Sequence, residues 1–138
     1  MNCRTLLPLV LSSCILTTAA FGQEWTRFRG PNGTGVAPAI KVPLPWTEKD
    51  YRWRIELPGK GHSSPVVWGK KLFITACDEA TATVRVCAID TADGHILWKH
   101  ELAAQPYKKS ALNAYAATTP ALDARRLYVT WGTAEHCR

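Results

Sequence analysis

Two stretches of this chain say nearly the same thing. "GHSSPVVWGKKLFITAC" at 61–77 returns at 116–132 as "AATTPALDARRLYVTWG". At a constant offset of 55, Ser64 meets Thr119, Pro65 meets Pro120, Leu72 meets Leu127, Phe73 meets Tyr128, Ile74 meets Val129 and Thr75 meets Thr130. Chance composition does not hold register across that many chemically similar positions. A second echo, "WRIEL" at 53–57 and "WKHEL" at 98–102, repeats a tryptophan, a basic residue and a Glu-Leu pair in order. The first echo marks where a unit begins and the second marks where one ends. A chain built this way must bury the face of each unit against the next, which restricts it to repeat architectures.

Between the echoes the sequence predicts one complete unit of four strands over about 63–102: "SPVV" (64–67), "KKLFITAC" (70–77), "TVRVCAID" (83–90) and "HILWKHEL" (95–102), each bounded by glycine, proline or aspartate. "YRWRIEL" (51–57) is expected to be the last strand of a preceding unit, and the residues after 117 the first two strands of a following one. Asp93-Gly94 is a two-residue hairpin signal, and Asp90 stands where its carboxylate can bond the amides of that turn. Trp98 then arrives on an outer strand, where a large flat side chain can cover the seam between neighbouring units. "ELAAQPYKKSALNAYAA" is the best helical candidate, but Pro106 interrupts it and it reads as a long connection. The expected fold is all-β, with propeller blades of four antiparallel strands over 51–138 after an irregular, proline- and glycine-rich lead-in over 23–50.

Residues 1–22 stand apart. Arg4, an apolar run from Leu6 to Leu16 and the small residues Ala19, Ala20 and Gly22 follow the order of a secretory signal peptide cleaved after Gly22. The run is too short for a membrane span, which takes roughly 20 apolar residues. Secretion or periplasmic export is therefore expected, with lipidation at Cys14 in "LSSC" as the alternative. Three cysteines remain: Cys77, Cys87 and Cys137. If the hairpin turns within "DEATAT", Cys77 faces Val84 and Cys87 faces Ile74, too far apart for a bridge, so buried free thiols are expected. The cysteines and histidines lack paired metal-ligand spacing, and no metal residue is assigned. The net charge of +6 falls to +5 without Arg4, and its basic residues are dispersed beside strands, which argues against a nucleic-acid surface.

Other motifs read as structure. "GPNGTG" lacks the Lys-Ser/Thr of a phosphate loop and is a turn; "NGT" at 32–34 fits a glycosylation acceptor. His62, Ser63 and Ser64 are adjacent along one extended stretch, so they alternate between faces and form no prearranged nucleophile and base.

Ala88, Asp90, Gly94 and Trp98 fall in the spacing A-x-D-x-x-x-G-x-x-x-W, which resembles the tryptophan-docking repeat of pyrroloquinoline quinone (PQQ)-type β-propellers; Asp93 replaces the threonine usual there. The opening "EWTRFRGPNGTGVA" is similar to the lead-in of secreted bacterial PQQ-like propeller proteins, with Trp25, Phe28, Arg29, Gly30, Pro31, Gly33 and Gly35 matching. That family includes quinoprotein alcohol dehydrogenases and non-enzymatic outer-membrane assembly scaffolds. The dehydrogenases sandwich their cofactor between a tryptophan and a disulfide of adjacent cysteines and hold calcium with oxygen donors; this sequence has no Cys-Cys pair. The resemblance thus implies a protein-interaction scaffold without catalytic or cofactor residues of its own, partnered by other proteins or further blades. The alternatives are the amino-terminal part of a quinoprotein dehydrogenase, for which PQQ and calcium would be the cofactors, and an extracellular carbohydrate-binding propeller. Since propellers need about four to eight blades to close, a chain holding about two reads as an amino-terminal fragment.

Overall fold

Alternation of apolar and polar residues between 66 and 103 produces one four-stranded antiparallel sheet, in a computed structural model that describes residues 24–37 and 44–132. Its strands are β1 (Val66–Trp68), β2 (Lys71–Asp78), β3 (Thr83–Asp90) and β4 (Ile96–Ala103), hydrogen-bonded in chain order. A second hairpin follows, β5 (Ala121–Leu122) with β6 (Leu127–Tyr128). Among the described residues there is no α-helix, only a short 3-10 turn at Glu48–Asp50. The fold is all-β, as the strand periodicity predicts.

Register gives the repeat its physical meaning. Val66 stands opposite Phe73 and Val67 opposite Leu72 in the first hairpin. Ala121 stands opposite Tyr128 and Leu122 opposite Leu127 in the second. Each residue of the second hairpin is the 55-offset counterpart of the first, so the sequence repeat is a repeat of strand pairing. The units also adjoin at equivalent positions, because the Ser64 backbone N–H donates to Thr119 Oγ1 at 2.9 Å, itself 55 residues on. Contact between like positions is what units related by rotation show where their inner strands converge.

The core lies within the blade and beneath the connection that leaves it. Val66, Ala76, Val84, Val86, Ala88 and Ile89 are buried, together with Cys77 and Cys87. Both thiols are free, and Ile74 opposes Cys87 while Val84 opposes Cys77, the facing expected from the hairpin. β1 is too short to pair all of β2. Ser63 patches the gap, its Oγ accepting from Thr75 N–H at 3.1 Å and donating to Thr75 O at 3.2 Å. Farther along, Lys60 and Cys77 exchange backbone hydrogen bonds of 2.9 and 2.6 Å. Ser63 is thus committed to the sheet.

Three expectations are corrected. "YRWRIEL" (51–57) forms no strand, because no described segment lies alongside to pair with it, and extended backbone becomes a strand only with a neighbour. The Asp93-Gly94 turn is not a two-residue hairpin. Asp90 N–H donates to His95 O and Gly94 N–H to Asp90 O, both at 2.9 Å, enclosing the four residues Thr91–Gly94, of which Gly94 alone has a positive φ, 81°. A register shift between Ala88 and Ile89 then leaves Leu97 without a direct partner in β3. Third, the two strands of the following unit, expected after 117, pair over two residues each. The expected signal peptide over 1–22 with Cys14, and Cys137, lie outside the described residues, as does 38–43 of the lead-in.

Candidate functional site

The residues of the repeat motif converge on the β3–β4 turn. Asp90 closes β3, and its Oδ1 accepts the Ala92 N–H at 2.7 Å, so the side chain caps the turn it precedes. Asp93 does the same one step on, accepting from His95 N–H at 3.0 Å and contacting His95 Nδ1 at 2.6 Å; these bonds hold its carboxyl below the usual carboxylate range. Ala88 is fully buried opposite Trp98 in the β3–β4 ladder, where a larger side chain would crowd the indole.

Gly94 is the seat of a tryptophan, and that tryptophan is Trp53. Its indole Nε1–H donates to Thr91 O at 2.9 Å. Its ring lies so close to Gly94 that a β-carbon there would sit 2.7 Å from it. The left-handed φ and the missing side chain therefore answer one requirement, a flat surface for an aromatic ring. Trp98, the residue expected to cover a seam, stands 45 positions after Trp53 in the sequence echo and is 42% exposed. It rests obliquely on Phe73 with ring centroids 6.0 Å apart. The tryptophan seated on the turn of the described blade is thus contributed by the segment before it, and Trp98 is its equivalent one unit on.

Trp98 lines an open cleft of about 590 Å³ together with Val86, Lys99, Leu102, Leu127 and Trp131. The two units touch at their inner strands, and this space opens between β3–β4 and β6. Its lining is largely apolar, with Lys99 and His100 as the polar members.

A second polar cluster, invisible to the motif search, sits where the connection after β4 folds back over the far end of the blade. Cys77 Sγ donates to Glu79 Oε1 at 3.0 Å, Glu79 Oε2 pairs with Lys109 Nζ at 2.7 Å, and Lys109 donates to Asn113 O at 2.9 Å while standing 5.0 Å from the Tyr115 ring. Tyr107 packs edge-on against Tyr115. Burial, reinforced by the Glu79 carboxylate, pushes the Cys77 thiol up, and burial does the same to Cys87. Hydrogen bonding by Lys109 holds Glu79 below the carboxylate range. A thiol kept protonated beside a carboxylate is a packing group and a poor nucleophile. The signal that could have found this cluster is weak, since Glu79 and Lys109 are 30 residues apart and only the fold joins them.

Ser64 and His62 are used through their backbone amides, Ser64 toward Thr119 and His62 toward Ala116 O at 3.0 Å. Asn32 accepts from the Thr34 N–H and Oγ1 in an exposed turn. Among the described residues no three His, Cys, Asp or Glu side chains gather closely enough to hold a metal ion, and no helix is long and apolar enough to cross a membrane.

A four-stranded antiparallel blade, the hairpin of a second unit in the same register and a tryptophan seated on the inter-strand turn define a β-propeller repeat protein. A family model described as "Outer membrane protein assembly factor BamB" matches residues 46–134, more than half of the 138, and the chain belongs to that PQQ-like repeat family. No curated protein and no solved structure matches it.

Proposed function

We propose that this chain contributes blades to an exported PQQ-like β-propeller that works as a protein-interaction scaffold and carries out no catalysis itself. The observation that carries this reading is membership of a family described as an outer-membrane protein assembly factor. The geometry supports it, because polar side chains have structural employment: Asp90 caps a turn, Ser63 completes a sheet, and Glu79 binds Lys109. The four motif residues Ala88, Asp90, Gly94 and Trp98 are read as blade-docking residues. Trp53 on Gly94 is the docked form, and Trp98 is the equivalent side chain awaiting the turn of a following blade.

The alternative is the amino-terminal part of a quinoprotein dehydrogenase. Cys77 and Cys87 lie on neighbouring strands without facing each other, so no disulfide platform for a flat cofactor forms from them. Titration of the exported protein with PQQ and calcium is expected to give no saturable absorbance change and no alcohol-dependent dye reduction. Saturable binding with turnover would replace the scaffold by a quinoprotein dehydrogenase. Crosslinking from a photoreactive residue at Leu97 in the exported compartment is expected to yield a defined protein adduct, while retention on a glycan array instead would point to the carbohydrate-binding reading. Export rests on the leader read in residues 1–22, and mass spectrometry of the mature protein is expected to find Gln23 at its N-terminus. An intact Met1 would refute export, and a lipidated Cys14 would replace secretion by membrane anchoring.

A further inference from the structure

Residues 24–26 belong to the stretch expected to be irregular, yet Trp25 forms an isolated antiparallel bridge to Val67. β1 is bonded to β2 on one side only, which leaves the opposite edge of the blade open. Trp25 fills it, its N–H donating to Val67 O at 3.0 Å and its carbonyl accepting the Val67 N–H at 2.8 Å. Next to it, the Glu24 carboxylate accepts the Gly69 N–H, at 3.0 Å to Oε2 and 3.3 Å to Oε1. On its other side the Thr26 carbonyl accepts the N–H of Leu122 in β5 at 2.9 Å. Three consecutive residues therefore bond the inner hairpins of two successive units.

The units also meet directly. The Ser64 N–H donates to the Thr119 hydroxyl, the Thr75 hydroxyl to Thr118 O at 3.3 Å and the His62 N–H to Ala116 O at 3.0 Å, so of these bonds only the last runs from backbone to backbone. The lead-in is also braced from behind. The Trp25 ring lies on Gly30, where a β-carbon would be 2.8 Å away, and the Arg27 guanidinium donates to Gly30 O at 3.3 Å and Pro31 O at 2.6 Å. A braced loop presents its strand at lower entropic cost than a free end does.

We propose that Glu24–Thr26 is an inner-edge strap: it caps the open edge of β1 and fastens β1 to β5, alongside the direct bonds between the two units. An uncapped edge would be a template for pairing with another chain, and here the chain caps it with its own residues. The proposal does not depend on the scaffold reading.

Amide exchange on the full chain tests it. The amides of Trp25, Val67 and Leu122 are expected to be protected, and Trp25→Ala to speed exchange at Val67 and Leu122 together by about tenfold or more while Val86 and Cys87 stay within about twofold. Leu122 discriminates, because Trp25 has no hydrogen bond to it and only a strap transmits the change to the second unit. Faster exchange at Val67 with Leu122 unchanged would overturn the proposal, as would an unprotected Leu122 in the unaltered chain. If Trp25→Ala unfolds the blade, Glu24→Ala takes its place. Loss of the bond to Gly69 is then expected to accelerate tryptic cutting after Arg27 and Arg29 severalfold, with cutting after Arg54 unchanged; equal acceleration at Arg54, or none at Arg29, would overturn the strap.

Discussion

At the scale of single residues, Gly94 and Trp53 act as one device. A methyl group on Gly94 would meet the Trp53 ring at 2.7 Å and would also have to adopt φ 81°. Gly94→Ala is therefore expected to destabilise the blade by about 1–3 kcal/mol, from overpacking and backbone strain combined. Trp53→Ala should cost about 2–3 kcal/mol, below the range for fully buried tryptophan because the ring is half-buried. Trp98→Ala in the same chain should cost less, since its outer face is open. Equilibrium denaturation of the three variants ranks them, and a Trp98 effect larger than the Trp53 effect would reverse the assignment of the seat. The cysteines give a chemical check. Cys77 and Cys87 are almost fully buried with thiols pushed up, so at pH 8 both are expected to resist iodoacetamide while folded and react promptly in denaturant, as peptide mapping reads out.

At the scale of elements, what could be read from the sequence was whatever depends on neighbours along the chain. The offset of 55 predicts the second hairpin's register, and the hairpin turn predicts which way Cys77 and Cys87 face, because strand pairing propagates from a turn residue by residue. What failed depends on distant neighbours. Residues 51–57 have strand composition and no described partner, Trp25 has loop surroundings and a partner 42 residues away, and the Glu79–Lys109 pair closes across most of the blade. That pair fastens the connection after β4, and it is acid-sensitive. The Glu79 carboxyl is depressed in the folded chain, so its contribution is present above the ordinary carboxylate value of about 4.3 and is lost as pH falls through the depressed folded value. Glu101, held down by Arg85, follows the same sign. Protection of the Ala114 and Ala116 amides is expected to decline below about pH 4, and Glu79→Gln should make it weaker and flatter across that window. An unchanged profile in the variant would remove the pair as a fastener.

At the scale of the molecule, the blade has one finished face and one unfinished one. Ile96, Leu97 and Trp98 are all more than a third exposed on β4, and Trp98 lines the 590 Å³ cleft. Exposed apolar side chains gathered on one outer strand mark an interface. Residues 23–138 alone are expected to self-associate with rising concentration, and Leu97→Lys with Trp98→Lys should restore a monomer in sedimentation velocity. A monomer from the unaltered chain at high concentration would show that this face needs no cover.

The two echoes do not share one spacing. Trp53 precedes Trp98 by 45 positions, whereas Ser64 precedes Thr119 by 55, so the link leaving β4 is roughly ten residues longer than the one entering β1, while the hairpins on either side keep the same pairing. Length in that link is therefore uncoupled from the architecture, and its crest around Leu112, 87% exposed, is a splice point. An epitope, a fluorophore-bearing peptide or a pair of new chain ends placed there would leave the strand order intact, which makes the crest a handle by which the protein can be labelled or re-threaded without redesigning a blade.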